Sequence, residues 1–128
     1  MEQQKKLYTP IATKDKTTLF GTWLTEKKAE NLLALDLAAH SSVAEALIIV
    51  TATSIRHAQG LADTVLERCR LEKIEFLGME GYAVGQWILL DLNDVLIHIF
   101  QQDNRNLYKL DDLWPGARIL ADQRKEAN

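Results

Sequence analysis

Apolar and polar positions follow one another along this chain in blocks whose period changes, and each change predicts an element. Residues 1–16 are polar and without a period, which predicts a loose N-terminal arm. Over 17–30 the apolar residues Leu19, Phe20, Trp23 and Leu24 recur at helical spacing, predicting a first amphipathic helix. Lys27 and Lys28 stand near its end, where they complement the helix dipole. Asn31 breaks the pattern. Leu32-Leu33-Ala34-Leu35-Asp36-Leu37 and Ala46-Leu47-Ile48-Ile49-Val50-Thr51-Ala52 are nearly continuous apolar runs, as in strands buried on both faces. The short polar link at His40-Ser41-Ser42 predicts that these two strands pair antiparallel.

A second helix is marked by Ala58, Leu61, Ala62, Val65, Leu66 and Cys69 on one stripe, with Thr53 or Ser54 as its cap. Residues 74–77 read as a short third strand, and Glu80-Gly81-Tyr82 with Gly85 as a loop. Then come Trp87-Ile88-Leu89-Leu90-Asp91-Leu92 and Val95-Leu96-Ile97-His98-Ile99-Phe100, separated by Asn93-Asp94. Both linking residues tolerate positive φ, so this is a two-residue hairpin. A last helix over 104–114 is ended by Pro115-Gly116, and its Leu107, Leu110 and Trp114 fall on one inward stripe. The expectation is a single α/β domain at 17–118 with a mixed five-stranded sheet and helices, flanked by the 1–16 arm and a polar tail at 119–128.

Pairing the hairpin across its turn sets Leu92 against Val95, Leu90 against Ile97 and Ile88 against Ile99, so one face is wholly aliphatic and suits a core. The other face pairs Asp91 with Leu96, Leu89 with His98, and Trp87 with Phe100. A face sealed by helices does not call for Asp and His, and a face left to water does not call for Trp and Phe. Aromatic groups edged by a few polar ones are the composition of a protein interface. Trp87, Leu89, Asp91, His98 and Phe100 are therefore candidate partner-binding residues, together with Tyr108, which lies off the last helix's inward stripe. The competing reading is that the last helix or the arm covers this face and makes it ordinary core.

Composition narrows the partner. The 128 residues carry a formal net charge of −3, whereas a protein held to nucleic acid mainly through phosphates is expected to be basic. RNA contact is thus expected to be secondary at most, with Arg68, Arg70 and Lys73 as one local patch. A single cysteine, Cys69, forms no internal disulfide, and no apolar run is long enough to cross a bilayer. No apolar stretch follows Lys5-Lys6 as a secretory leader requires, so the expected place is the cytoplasm.

Catalytic chemistry finds little support in the residues. Metal-dependent nucleotidyl transfer commonly uses an Asp-x-Asp pair on one strand face, and no such pair occurs. Asp91 and Asp94 are three apart across a turn. Histidines 40, 57 and 98 have no metal-type spacing, and Cys69 sits on a core stripe. Ser54-Ile55-Arg56-His57 opens a helix and reads either as an anion site or as a helix cap. The expectation is a protein without enzymatic activity, cofactor or metal.

Taken in order, Asp36, Ser41-Ser42, Thr51-Ala52-Thr53-Ser54-Ile55-Arg56-His57, Glu80-Gly81, Trp87 with Asp91, Asp94-Val95, His98-Ile99-Phe100 and Arg105-Asn106-Leu107-Tyr108-Lys109-Leu110-Asp111-Asp112-Leu113-Trp114 resemble the ribosomal silencing factor (Iojap) family. The match spans residues 32–114. It departs from the family at Ala52, where Gly is usual, and at Glu45, where Asp is usual. The resemblance implies a nucleotidyltransferase-like fold without its activity. It further implies binding to the large ribosomal subunit through ribosomal protein number fourteen, which blocks joining to the small subunit and represses translation when nutrients are scarce. Organellar relatives act in ribosome assembly, so an assembly factor stays open beside a degenerate nucleotidyltransferase-like enzyme, as does homodimerisation of the free protein.

Overall fold

A computed structural model describes residues 8–125 of the chain. The outer parts of the predicted arm and tail, residues 1–7 and 126–128, lie outside the described residues. The elements run α1 (Thr13–Glu26), β1 (Glu30–Asp36), β2 (Ala46–Ala52), α2 (Ile55–Glu72), β3 (Gly78–Glu80), β4 (Trp87–Asp91), β5 (Val95–Gln101), α3 (Gln102–Tyr108), a 3-10 turn (Leu110–Asp112) and β6 (Arg118–Asp122). They build one mixed sheet in the order β3-β4-β5-β2-β1-β6. Only β2 and β5 are parallel; the other neighbours are antiparallel.

The expected α/β class and mixed sheet are observed, with six strands instead of five. The extra strand is β6, in residues expected to be a polar tail. Arg118, Ile119, Ala121 and Asp122 pair along β1 and cover its outer edge, which would otherwise end the sheet at a strand with four buried apolar residues in a row. The first helix begins four residues before the predicted start and ends at Glu26, because Glu30 already belongs to β1. Its early start has a buried cause. Lys16 forms an ion pair with Asp94 at the β4–β5 turn, Thr13 donates a hydrogen bond to the same carboxylate, and Asp94's carbonyl oxygen accepts from the Glu45 and Ala46 amides. Burial alone would raise the Asp94 pKa, but the bonds from Lys16 and Thr13 outweigh it and hold it below the usual carboxylate value.

The predicted strand at 74–77 is not one. Lys73 ends α2 in the left-handed conformation, Ile74 tucks into the core, and pairing with β4 begins only at Gly78. On α2 the cap is Ser54, whose hydroxyl accepts from the His57 amide, and five of the six stripe residues are buried, with Leu66 at the margin. The predicted 104–114 helix is also broken: α3 stops at Tyr108, Lys109 is left-handed, and a separate 3-10 turn follows.

Helices α1 and α2 pack on one face of the sheet. Phe20, Trp23 and Leu24 of α1 and the α2 stripe meet Ile48 and Val50 of β2 and Ile88, Leu90, Val95, Ile97 and Ile99 of the hairpin. The opposite face has a smaller cluster of Leu33, Leu35, Leu37, Leu47, Ile49 and Phe100, roofed at one corner by Leu110, Trp114 and Ala117. Unequal covering of the two faces is what positions the candidate site.

Candidate partner-binding surface

The hairpin holds the register expected of it: Trp87 opposite Phe100, Leu89 opposite His98, and Asp91 opposite Leu96. Asn93 adopts φ 80°, and the Leu92 amide donates to the Val95 carbonyl across the turn. The aliphatic face is fully buried under α1 and α2, and the mixed face therefore points to the side where only α3 and the 3-10 turn lie.

At the Trp87 end of that face four rings gather. The Trp87 ring centroid is 4.8 Å from Phe100, 4.9 Å from Tyr108 and 5.9 Å from His98. These tilted contacts are within the favourable range for aromatic pairs. The indole N–H of Trp87 donates to Nδ1 of His98 at 2.9 Å. Since indole can only donate, Nδ1 must be the bare acceptor nitrogen, which fixes the neutral ring's tautomer with its proton on Nε2. Burial pushes the His98 pKa down to about 4, so the ring is neutral at pH 7.

Exposure divides these residues into a floor and a rim. Phe100 is 0% and His98 8% exposed, so the expectation of an open aromatic face fails for both: they are the floor. Phe100 packs with Leu33, Leu47 and Ile49. Trp87 and Leu89 are half-buried, and Tyr108 is 53% exposed. The rim available to a partner is thus Trp87, Leu89 and Tyr108. Asp91 is half-buried at the far end of β4, where its carboxylate accepts from the Asn93 amide, so it also supports the turn. Phe100 and His98 are core, as the competing reading expects, and Trp87 packs against the same cluster while staying partly exposed.

The loop before β4 is fitted to this arrangement. Gly81 has φ +84°, and a Cβ there would lie 2.1 Å from the Trp87 carbonyl oxygen, so only glycine lets the loop close against the strand bearing the tryptophan.

Sequence reasoning missed Arg105, Leu107 and Leu113. Arg105 is buried, and its Nε and Nη2 grip both carboxylate oxygens of Asp111 at 3.1 and 2.7 Å while Nη1 donates to the Thr51 hydroxyl at 3.0 Å. This fork ties α3 and the 3-10 turn to the end of β2. Leu107 was expected inward but is 71% exposed, because the break at Lys109 takes it off the stripe shared with Leu110 and Trp114. One signal was present: Asp111-Asp112 is the composition of a helix's first turn and not of its last.

The other candidate chemistries resolve structurally. At the start of α2, the His57 ring accepts from the Thr53 amide through Nδ1 and donates to the Lys27 carbonyl through Nε2, fastening α2 to the end of α1. With Ser54 holding the His57 amide, this terminus is capped from within. Cys69 is buried and its thiol is pushed up to about 11 by desolvation, which suits packing and not nucleophilic attack. Among the described residues, no helix is long and apolar enough to cross a membrane, and no group of three or more His, Cys, Asp or Glu side chains is placed to hold a metal ion.

A mixed α/β sheet with one sealed face and one partly open, aromatic-edged face defines a small single α/β domain. A family model described as "Ribosomal silencing factor during starvation" matches residues 10–128, and the chain belongs to that family. It is 37% identical over 97 residues to the ribosomal silencing factor RsfS of Bacillus subtilis, covering 76% of this chain and 81% of that protein. The Haemophilus influenzae RsfS is 34% identical over 87 residues, covering 68% and 85%. A crystal structure of a Chromobacterium violaceum protein superposes with a TM-score of 0.81 at 25% identity, over 91% of this chain and 92% of that one. A Bacillus halodurans structure gives 0.73 at 31% identity, over 80% and 96%.

Proposed function

We propose that this chain binds the free large ribosomal subunit through the Trp87–Leu89–Tyr108 rim, chiefly against ribosomal protein number fourteen, and sterically blocks joining to the small subunit. It acts in the cytoplasm, without catalysis or cofactor, and represses translation when nutrients are limiting. The observation that carries this reading is the four-ring cluster: a partly exposed tryptophan held rigid by Phe100, Tyr108 and a hydrogen bond to His98. A preordered aromatic of this kind is what interface hot spots are built from, since little side-chain freedom remains to be lost on docking. Asp91 extends the surface as a charged flank, with His98 and Phe100 as its support. The net charge of −3 suits a basic ribosomal protein better than bare RNA.

Family membership supports the ribosome as partner, and the name of a more distant mouse relative points to the same particle. Mitochondrial assembly of ribosomal large subunit protein 1 is 20% identical over 109 residues, covering 81% of this chain and 47% of that protein. The test is sucrose-gradient sedimentation of the tagged chain with separated subunits. Expected is cosedimentation with free large subunits, scarcity on small subunits and joined ribosomes, and inhibition of joining. Equal binding to both subunits, or release only on RNA digestion, overturns the proposal.

A further inference from the structure

The ring of His98 carries two nitrogens, and the fold uses only one of them. Nδ1 accepts the Trp87 indole N–H at 2.9 Å, which leaves the proton of the neutral ring on Nε2. That is the single hydrogen bond of the His98 ring among the described residues, so they offer the Nε2–H no acceptor. Nor is this nitrogen sealed away: among the described residues, the one buried side-chain nitrogen or oxygen without a partner is Nε1 of Trp23. His98 as a whole is 8% exposed, and that small open part includes Nε2. Around it stand Leu89 across the strand pair, Ile49 on β2 and Phe100, whose ring lies 6.2 Å away and 14° from parallel. A side chain needed only to receive the indole N–H has no use for a second polar atom opening from an apolar floor.

We infer that His98 is a specificity-determining residue of the proposed surface: its Nε2–H donates to a neutral oxygen acceptor, a peptide or side-chain amide carbonyl, that the docking protein lays beside Trp87 and Leu89. This rests on the proposed function and adds to it the chemistry of one contact. Two observations select the acceptor. Trp87 holds the ring in one tautomer, so the nitrogen left for a partner is a donor and never an acceptor. The bond from the indole also polarises the ring and strengthens that donor. The surroundings then decide between a carbonyl and a carboxylate. A carboxylate would lose its water among Leu89, Ile49 and Phe100 and would meet the like charge of Asp91 on the same face of β4, whereas a carbonyl carries no charge to desolvate. A partner without such an oxygen would cover the Nε2–H and leave it unpaired, which is how one donor discriminates between partners.

Nitrogen-15 NMR of the imidazole in the free protein at pH 7 should show Nε2 protonated and Nδ1 bare; the reverse tautomer overturns the inference. Affinity for purified, salt-washed large subunits is then measured alongside thermal melts. His98→Met keeps an apolar side chain of similar size with no donor, and should stay folded and bind about 10-fold more weakly. His98→Gln supplies a carbonyl for the indole and an amide N–H for the partner, and should bind within about 3-fold of wild type. If His98→Met binds as wild type does, the donor is refuted while the ribosomal reading stands. Equal loss in the Met and Gln variants also refutes it, because the imidazole would then act through packing alone. A readout that needs no variant is the Nε2 proton itself: on addition of purified ribosomal protein number fourteen it should move downfield and exchange more slowly, and an unchanged resonance in the complex overturns the inference. If wild type fails to bind large subunits at all, the functional reading falls and this contact with it.

Discussion

The two faces of the β4–β5 hairpin come from the same twelve residues and do opposite things. On one, Ile88, Leu90, Leu92, Val95, Ile97 and Ile99 are fully buried beneath α1 and α2. On the other, Phe100 and His98 are covered while Trp87, Leu89, Leu96 and Asp91 stay half-open. The difference lies in the covering layer: two helices of 14 and 18 residues against one of 7 with a 3-10 turn. A short cover leaves a rim, and the chain places its aromatic and polar side chains there. If the proposed function holds, stability and recognition are divided between the two sides of one hairpin, and variants on each side should respond differently.

The largest effect belongs to the sealed face. Leu90→Ala removes a fully buried side chain from the centre of the main cluster and should destabilise the domain by about 2–5 kcal/mol, read by urea denaturation. Subunit binding measured well below its melting temperature should be unchanged. If Leu90→Ala were as stable as wild type, the main core would have been assigned to the wrong face.

On the open face, pH provides a second probe. An unfolded chain's imidazole takes up its proton near 6.5, whereas folded His98 does so only at about 4. The folded state therefore holds fewer protons between these values. This contribution to stability is complete above pH 6.5, falls as pH drops toward 4, and levels off below. A shift of that size corresponds to a loss on the order of 3 kcal/mol. Asp94 and Asp111 also have depressed pKa values, but their contributions are lost only below the ordinary carboxylate value of 3.8, a separate window. His98→Gln should flatten the slope between pH 6.5 and 4 in urea midpoints. A slope unchanged by that substitution would mean that His98 is not held neutral by burial.

Trp87→Ala separates the two roles within one residue. The indole is partly buried, stacked on Phe100 and Tyr108, so a folding cost of about 1–3 kcal/mol is expected, below that of Leu90→Ala. Large-subunit affinity should drop further, by about 30-fold, corresponding to ~2 kcal/mol at an interface hot spot. A variant as unstable as Leu90→Ala would place Trp87 in the core proper. One that folds and still blocks subunit joining at wild-type concentrations would remove it from the interface.

How much of this was legible in the chain depends on the range of the interactions involved. The β2 boundaries, the hairpin pairing and the α2 stripe were readable because each is set by periodicity and a local turn, as at Asn93. What was not readable is long-range. Lys16 looked like part of a polar arm until Asp94, distant in sequence, supplied its buried partner. Residues 119–122 looked like a polar tail because a strand of five residues at a sheet edge, Arg118–Asp122, needs apolar positions only where it meets β1. Strand alternation and stripe geometry were enough to place Trp87 and Leu89 on the mixed face and Tyr108 off the inward stripe, as observed. That Phe100 would be sealed, and that Leu107 would be exposed, depended on where α3 ended. That end is set by Arg105 reaching Asp111 and Thr51, which no local pattern announces.

The smallest expected effect tests whether the open face works along its whole length. Asp91 sits four residues from Trp87 on the same strand, about 13 Å away at ordinary strand rise. Its carboxylate accepts from the Asn93 amide at 2.9 Å, and an asparagine oxygen can do the same, so Asp91→Asn should leave stability within about 0.5 kcal/mol of wild type. What the substitution removes is one negative charge. If the basic partner reaches this end of the strand, association with large subunits should slow by a few-fold at low ionic strength, and the difference should vanish at high salt, as for a rim charge. Stopped-flow association at two salt concentrations is the measurement. A variant with wild-type rates at both would confine the interface to the aromatic end and leave Asp91 to the turn alone. A salt-independent loss would instead indicate that the charge is desolvated on docking, bringing Asp91 into the centre of the contact.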